Sequence, residues 1–454
     1  MSTPAPAIGV LAAGLGTRMR SKLPKVMHPL AGRPMIRHLL ATLEGLSPER
    51  IVVVAGPDMP ALTAAVAPHP IAVQHERLGT GHAVMAARDA LAGFAGDVLI
   101  VYGDTPLLSS ETLKGMLAAR RASDDTAVVV LGFRPADPAG YGRLVTSDDD
   151  TLDAIVEAKD AGPTELAIGL CNSGVMAVDG LRLFGLLDRL GNANAKGEYY
   201  LTDIVALARQ DGRTARYVEG DAAELLGINS RAELAVAEAL VQAKLRADAM
   251  AAGATLIAPE TVFFSWDTRL GRDVTVGPNV VFAPGVVVGD DVEIRAYCHL
   301  EGAAVASGAQ IGPFARLRPG ARIGPDAHVG NFVEIKNAAV EDGAKVNHLT
   351  YIGDARIGAK ANIGAGTITC NYDGFFKSFT DIGAGAFIGS NSSLVAPVKI
   401  GDGAIIGAGS AIACDVPPDA LALTRGGHTL KEGWAKAFRR TRGAEKAAKA
   451  KSKD

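Results

Sequence analysis

Ile311-Gly-Pro-Phe-Ala-Arg-Leu317-Arg-Pro-Gly-Ala-Arg-Ile323-Gly-Pro-Asp-Ala-His-Val329 brings back an aliphatic residue at every sixth position. The pattern extends upstream through Val276, Phe282, Val288, Ile294, Leu300 and Val305. Downstream it passes Ile335, Val340, Val346, Ile352, Ile357 and Ile363, breaks, and resumes from Ile382 through Ile388, Leu394, Ile400 and Ile406 to Ile412. A glycine commonly follows the aliphatic residue, as at Gly277, Gly324 and Gly358. A small or β-branched residue stands four positions after it, as at Val280, Ala321 and Ser410. A helix repeats at 3.6 and a strand at 2, so a period of six excludes both and predicts a parallel β-helix of hexapeptides. The expected solenoid has roughly eight coils of three hexapeptides each. Its aliphatic residues point inward at each flat face, its glycines permit the bends, and its small residues fill the corners.

The rest of the chain is too long to share that core. At 454 residues, two or three domains are expected. The 53 glycines and 5% aromatics suit turns and solenoid corners more than an aromatic core. A net charge of −3 gives no general reason for nucleic acid binding. Cys171, Cys298, Cys370 and Cys414 lack the paired spacing of a zinc or disulfide framework, so reduced structural thiols and a cytoplasmic location are expected. No signal peptide or membrane span is visible, and no membrane partner is expected.

Three segments follow: residues 1–231, 232–252 and 253–454. In the first, short apolar runs at 8–13, 51–55, 71–73, 98–101 and 127–131 alternate with helix-like sequence. Such alternation predicts βαβ units, a Rossmann-like α/β domain with a parallel sheet, and ligands at the carboxyl ends of the strands. The second is an Ala-rich linker helix, with Ser230 as N-cap in an S-x-x-E box and Gly253 as the stop. The third is the solenoid. Its largest interruption, residues 370–381, must bulge outward as a loop, and a Lys/Arg-rich tail after Lys431 reads as a frayed, solvated terminus.

Chemistry first shows after the first strand, in Leu11-Ala12-Ala13-Gly14-Leu15-Gly16-Thr17-Arg18-Met19 with Pro24-Lys25 close behind. Met19 replaces the third glycine of a dinucleotide fingerprint, and no Gly-Lys-Ser/Thr of a Walker loop follows. Two glycines with Arg18 and Lys25 instead suit a triphosphate. The whole string resembles the signature of the sugar nucleotidyltransferases. The resemblance continues in Gln74 with Leu78-Gly79-Thr80-Gly81-His82, in Tyr102-Gly103-Asp104, in Gly142, Glu157 and Asn172, and in Asn229. It implies UTP and sugar-phosphate contacts at those positions, with Leu11, Ala12, Ala13 and Gly14 forming the phosphate loop. It also implies Mg2+ held by Asp104 and Asn229, and charge balance from Arg18 and Lys25 during attack of a sugar 1-phosphate on the α-phosphorus. Leu15 stands where related sequences often carry a basic residue.

The solenoid carries a second string that its repeat does not require: Arg318, Lys336, His348, Tyr351, Asn362 and the loop residues Asn371 and Tyr372. Aliphatics fill the inward positions, so these side chains must face outward. A lone histidine is usually structural, but one accompanied by Glu334, Lys336, Tyr351 and Asn371 is not. With both halves in order, residues 8–434 resemble the bacterial bifunctional N-acetylglucosamine-1-phosphate uridylyltransferase and glucosamine-1-phosphate acetyltransferase family. The resemblance implies a left-handed coil, a homotrimer with sites in clefts between subunits, and acetyl-CoA and UTP as co-substrates. It makes His348 the general base, places the sugar phosphate on Arg318 and Lys336, and gives Tyr351 and Asn362 to the sugar pocket. Ala365, Asn371, Tyr372, Ser390, Ala408 and Arg425 would hold acetyl-CoA. Two rival readings keep the solenoid inert, as an oligomerising module of a nucleotidyltransferase or as a non-enzymatic scaffold.

Overall fold

A computed structural model describes residues 5–147, 151–424 and 430–451. The chain forms two compact units that meet in sequence between Val241 and Gln242.

The first unit is built on a nine-stranded sheet. Its main path runs Thr214–Glu219, Thr126–Phe133, Cys171–Asp179, Asp97–Tyr102, Ala7–Leu11, Arg50–Ala55, Ile71–Val73. Alternation along the first strand explains the two-sided core: Ala7 and Leu11 join one apolar cluster, Ile8 and Val10 the other. The five expected strands are present, but the sheet is mixed, not parallel. Cys171–Asp179 runs antiparallel to both Asp97–Tyr102 and Thr126–Phe133. Its polar opening, Asn172-Ser173-Gly174, hides the apolar run Val175–Val178 from a search for continuous hydrophobic stretches. The outer strand Thr214–Glu219 and the hairpin Arg143–Thr146 with Leu152–Val156 were also unforeseen.

The helix Arg231–Ala251 spans the boundary between the units. Ser230 Oγ accepts from Glu233 N at 3.2 Å, while Glu233 reaches back to accept from Asn229 N at 2.7 Å, one residue earlier than a standard capping box. Ala237 is buried with Leu30, Met35 and Ile228 in the first unit. Further along, Gln242 exchanges two buried hydrogen bonds with the Phe264 backbone in the second unit. Gly253, at φ +104°, ends the helix.

The second unit is the expected solenoid. One face stacks ten parallel strands, from Thr255–Leu256 to Leu421–Ala422, because the coil continues past both ends of the repeat that is legible in sequence. From Val276 to Ile412 no repeat aliphatic is more than 4% exposed, and each contributes roughly 1.5–3 kcal/mol by burial. Coil-to-coil steps of eighteen residues, as from Gln310 to His328, shorten to seventeen where the aliphatic spacing drops to five, as from His328 to Lys345.

Two expectations for this unit are corrected. The left-handed corner residue lies two or three positions beyond the aliphatic residue, at Asn279, Asp291, Phe314, Phe332 and Leu349 among others. Apart from Gly312, at φ +90°, the glycine directly after the aliphatic serves the stacking instead: a Cβ on Gly358 would lie 2.4 Å from the Gly383 carbonyl carbon in the next coil. The tail is not frayed either, since Trp434–Lys451 forms a helix.

Candidate functional sites

Three strands of the first unit end side by side, and the chemistry collects at their carboxyl edge. Ala12 N donates to Val54 O at 2.8 Å and Gly103 N to Leu11 O at 2.9 Å, which pins the loop and the 103–104 turn together. A cleft of about 240 Å³ opens beside them. Of the expected residues, Leu11, Ala12, Ala13, Gly14, Lys25, Gln74, Gly79, Thr80, Tyr102 and Asp104 line it. Gly16 sits at φ +61°, and a Cβ there would come within 2.6 Å of Lys25 Cβ, so the loop folds directly over the lysine. Arg18 departs from expectation: it is exposed on the short turn Thr17–Met19, outside the cleft lining, and Leu15 is exposed beside it. Arg77, which sequence reading missed, donates from Nε to Ala13 O at 2.8 Å and supports the loop from below. No spacing rule links positions 13 and 77, so only tertiary structure reveals it.

Lys25 Nζ donates both to the Asp104 carboxylate and, at 2.9 Å, to Asn229 Oδ1. These partners lie 79 and 204 positions along the chain. Ile228 N donates to Asp104 O at 3.0 Å, so the two turns are also joined through backbone. One carboxylate and one amide oxygen form a hard donor set. It suits Mg2+, which takes few protein ligands and completes its shell with water and substrate phosphates. Among the described residues no group of three or more His, Cys, Asp or Glu side chains forms a denser cation site.

Gly142, Glu157 and Asn172 form a neighbouring cluster. Asn172 N donates to Gly142 O at 2.8 Å, and a Cβ built on Gly142 would lie 3.6 Å from the Glu157 carboxyl carbon. Gly174 N donates to Asn172 Oδ1 at 2.9 Å. With φ at +90°, Gly174 passes so close to the Tyr102 ring that a Cβ would approach within 2.6 Å. Burial pushes the Glu157 carboxyl above its usual range, Asp160 adds to this, and Lys196 opposes it. Burial likewise raises the Tyr102 phenol, which Thr80 partly offsets.

On the solenoid, one corner repeats through successive coils. Leu349 N donates to Asn331 O, Gly366 N to His348 O, Asn391 N to Ala365 O and Gly409 N to Ser390 O, at 2.8–3.2 Å. Asn331, His348, Ala365, Ser390 and Ala408 therefore occupy equivalent positions one coil apart. Three strand spacings carry the row from His348 to Ala408, about 14 Å. The exposed His348 ring has Nδ1 2.7 Å from Asn331 Oδ1. A carbonyl oxygen can only accept, so Nδ1 carries the hydrogen and Nε2 is the free basic nitrogen. Asn331 was not singled out from sequence, although its seventeen-residue offset from His348 equals the coil step.

Arg318 donates to Glu334 Oε1 at 2.8 Å. Lys336 stands beside Lys377, and that ammonium, with desolvation and Arg318, holds Lys336 below its ordinary value. Lys377 was missed because it belongs to the non-periodic insertion. Tyr351 pairs with Glu334 in the ladder, and its ring lies across Gly353, where any Cβ would collide with it. Asn362 pairs with Lys345 and Phe387 in neighbouring coils. Asn371 donates to the Asp354 carboxylate, which also accepts from Asn337 at 2.6 Å. Tyr372 is 57% exposed, its hydroxyl donating to Gly374 O at 2.6 Å. Arg425 lies outside the described residues.

Residues 8–165 match the MobA-like NTP transferase domain, and residues 267–302 and 379–414 match the bacterial transferase hexapeptide of six repeats. The hexapeptide matches agree with the left-handed sense expected for the coil. The chain is 65% identical over 443 residues to a Paramagnetospirillum magneticum protein, covering 98% of each, and 70% identical over 430 residues to one from Rhodospirillum rubrum, covering 95% of this chain and 96% of that one. A protein from Azorhizobium caulinodans is 59% identical over 441 residues, covering 96% and 98%. Each of the three is named bifunctional protein GlmU.

Proposed function

Because the chain belongs to the family of bifunctional GlmU proteins, we propose a division of its two reactions between the two sites described above. The protein is a bifunctional transferase of UDP-N-acetylglucosamine synthesis, an acetyltransferase and a uridylyltransferase. The observation that carries the division is that each unit holds its own cluster of polar groups that its core does not need, lining a cleft in the first and standing on the outside of the coil in the second.

In the second unit, the glucosamine 1-phosphate amine attacks the thioester carbonyl of acetyl-CoA. His348 Nε2 receives the amine proton, Asn331 holds the imidazole in that tautomer, and the CoA thiolate leaves. Arg318, Lys336 and Lys377 hold the sugar phosphate, with Tyr351 and Asn362 around the sugar. The row Ala365, Ser390, Ala408, with Asn371, Tyr372 and Arg425, receives acetyl-CoA. Small side chains suffice there, because backbone groups would make the contacts.

In the first unit, an N-acetylglucosamine 1-phosphate oxygen attacks the α-phosphorus of UTP and pyrophosphate leaves. The Leu11–Gly14 backbone and Lys25 receive the triphosphate, and Gln74, Gly79 and Thr80 take the base, while Arg18, exposed outside the cleft lining, would have to swing inward to balance charge. Tyr102, Gly103, Gly142, Glu157 and Asn172 surround the sugar. Mg2+ held by Asp104 and Asn229 would neutralise phosphate charge when bound. Alignment of two anions is the main task of these residues. Hexapeptide repeats favour assembly of copies, and the proposed state is a homotrimer with the solenoid sites in clefts between them. No described helix is long and apolar enough to cross a membrane, and the proposed location is the cytoplasm.

The test supplies glucosamine 1-phosphate, acetyl-CoA, UTP and magnesium, and follows CoA and pyrophosphate separately. Release of both, with pyrophosphate dependent on acetyl-CoA, is expected. Pyrophosphate from supplied N-acetylglucosamine 1-phosphate without any CoA release would return the solenoid to an inert platform.

A further inference from the structure

The C-terminal helix Trp434–Lys451 presents one stripe to the insertion loop of its own unit. Trp434, Phe438 and Arg442 recur every fourth residue and so share a face. The Trp434 and Phe438 rings stack at 5.0 Å. The Arg442 guanidinium lies over both Phe438, at 5.9 Å, and Phe376 of the loop, at 6.0 Å. It also pairs with Asp373 at 3.3 Å. Asp373 in turn accepts from the Phe375 and Phe376 amides at 2.8 and 2.7 Å, closing the loop tip. A Cβ on Gly443 would lie 3.7 Å from the Phe375 ring, so the helix approaches the loop closely.

The loop is thus held from two sides. Its stem is tied to the solenoid wall by Asn371 on Asp354, and its tip is tied to the helix by Asp373 on Arg442. Tyr372 stands between the two ties, and Lys377, beside Lys336, follows the tip. We infer that Arg442 is a positioning residue for acetyl transfer, fixing the 371–377 loop so that Tyr372 and Lys377 face the substrates. The inference rests on the proposed acetyl-transfer site, and it gives the basic tail a task.

The experiment compares the full-length wild type with Arg442→Ala, Arg442→Lys and Asp373→Asn. Arg442→Ala should raise the acetyl-transfer KM for glucosamine 1-phosphate by roughly threefold to tenfold, with kcat within about twofold and uridylyl transfer unchanged. Arg442→Lys should recover part of the loss, and Arg442→Ala in an Asp373→Asn background should add little further. Amide hydrogen exchange across 371–377 should speed up in Arg442→Ala with no substrate present. Wild-type acetyl-CoA turnover together with unchanged exchange and unchanged KM in Arg442→Ala would overturn the inference alone. A wild type that releases no CoA would instead overturn the reading on which it rests. Equal loss of both reactions in Arg442→Ala would reduce Arg442 to a stability role and overturn the inference as well.

Discussion

The two units gather their polar groups by opposite geometries. In the first, Lys25, Asp104 and Asn229 come from loops 79 and 204 positions apart and meet only because the strand ends converge. In the second, Asn331, His348, Ala365, Ser390 and Ala408 meet because the chain returns to the same corner every coil. Convergence makes a site whose members share no spacing. Periodicity makes one in which each member predicts the next.

The comparison breaks most visibly at its chemical centres. Asp104→Ala should lower uridylyl transfer by about 10²–10³-fold and leave acetyl transfer intact, since it removes the carboxylate bound by Lys25. His348→Ala should lower acetyl transfer by about 10²–10⁴-fold and leave uridylyl transfer intact. Separate assays of CoA and pyrophosphate release check both. If either variant silenced both reactions while folded, the separation of the sites would be wrong.

Next in size is the stacking itself. Gly358→Ala would drive a Cβ into the Gly383 backbone of the following coil and should cost about 1–3 kcal/mol, read as a lower denaturation midpoint. Gly14→Ala, with open space around its Cβ position, should leave that midpoint unchanged. Similar losses at both positions would erase the distinction between a stacked coil and an open loop.

A smaller effect sharpens the periodic side. Asn331→Ala removes the acceptor of His348 Nδ1 and should lower acetyl-transfer kcat by about tenfold while KM changes little. An unchanged kcat would show that the imidazole is oriented by other groups.

The smallest concerns Glu157. Burial raises its carboxyl above the unfolded value, so its folded form favours the proton. Its contribution is fully favourable below the unfolded pKa and is lost as pH rises through the folded one. Glu157→Gln should therefore raise the melting temperature modestly at neutral pH and not near pH 4. Equal shifts at both pH values would assign the effect to something other than ionisation.

Legibility followed the same divide. The six-residue period located every inward aliphatic from Val276 to Ile412, because a position one coil away is also a fixed distance in sequence. It misassigned the glycines after them, since sequence does not distinguish a glycine that bends the chain from one that admits a neighbouring coil. It could not place Lys377 or the helix Trp434–Lys451, which meet outside the period. In the first unit, the motif string located Lys25 and Asp104, but nothing in it announced Arg77 or the reversal of Cys171–Asp179. Both depend on which strands become neighbours.

A stack of coils behaves under stress as a rope does, fraying from its ends. Each coil touches only the one above and the one below, so local opening should begin at Thr255–Leu256 or Leu421–Ala422 and travel inward. His348 follows the strand residues Val346 and Asn347 in the sixth of the ten strands on its face. Five ranks shelter it on one side and four on the other. Either end could unravel by a turn without disturbing the coil that carries the imidazole.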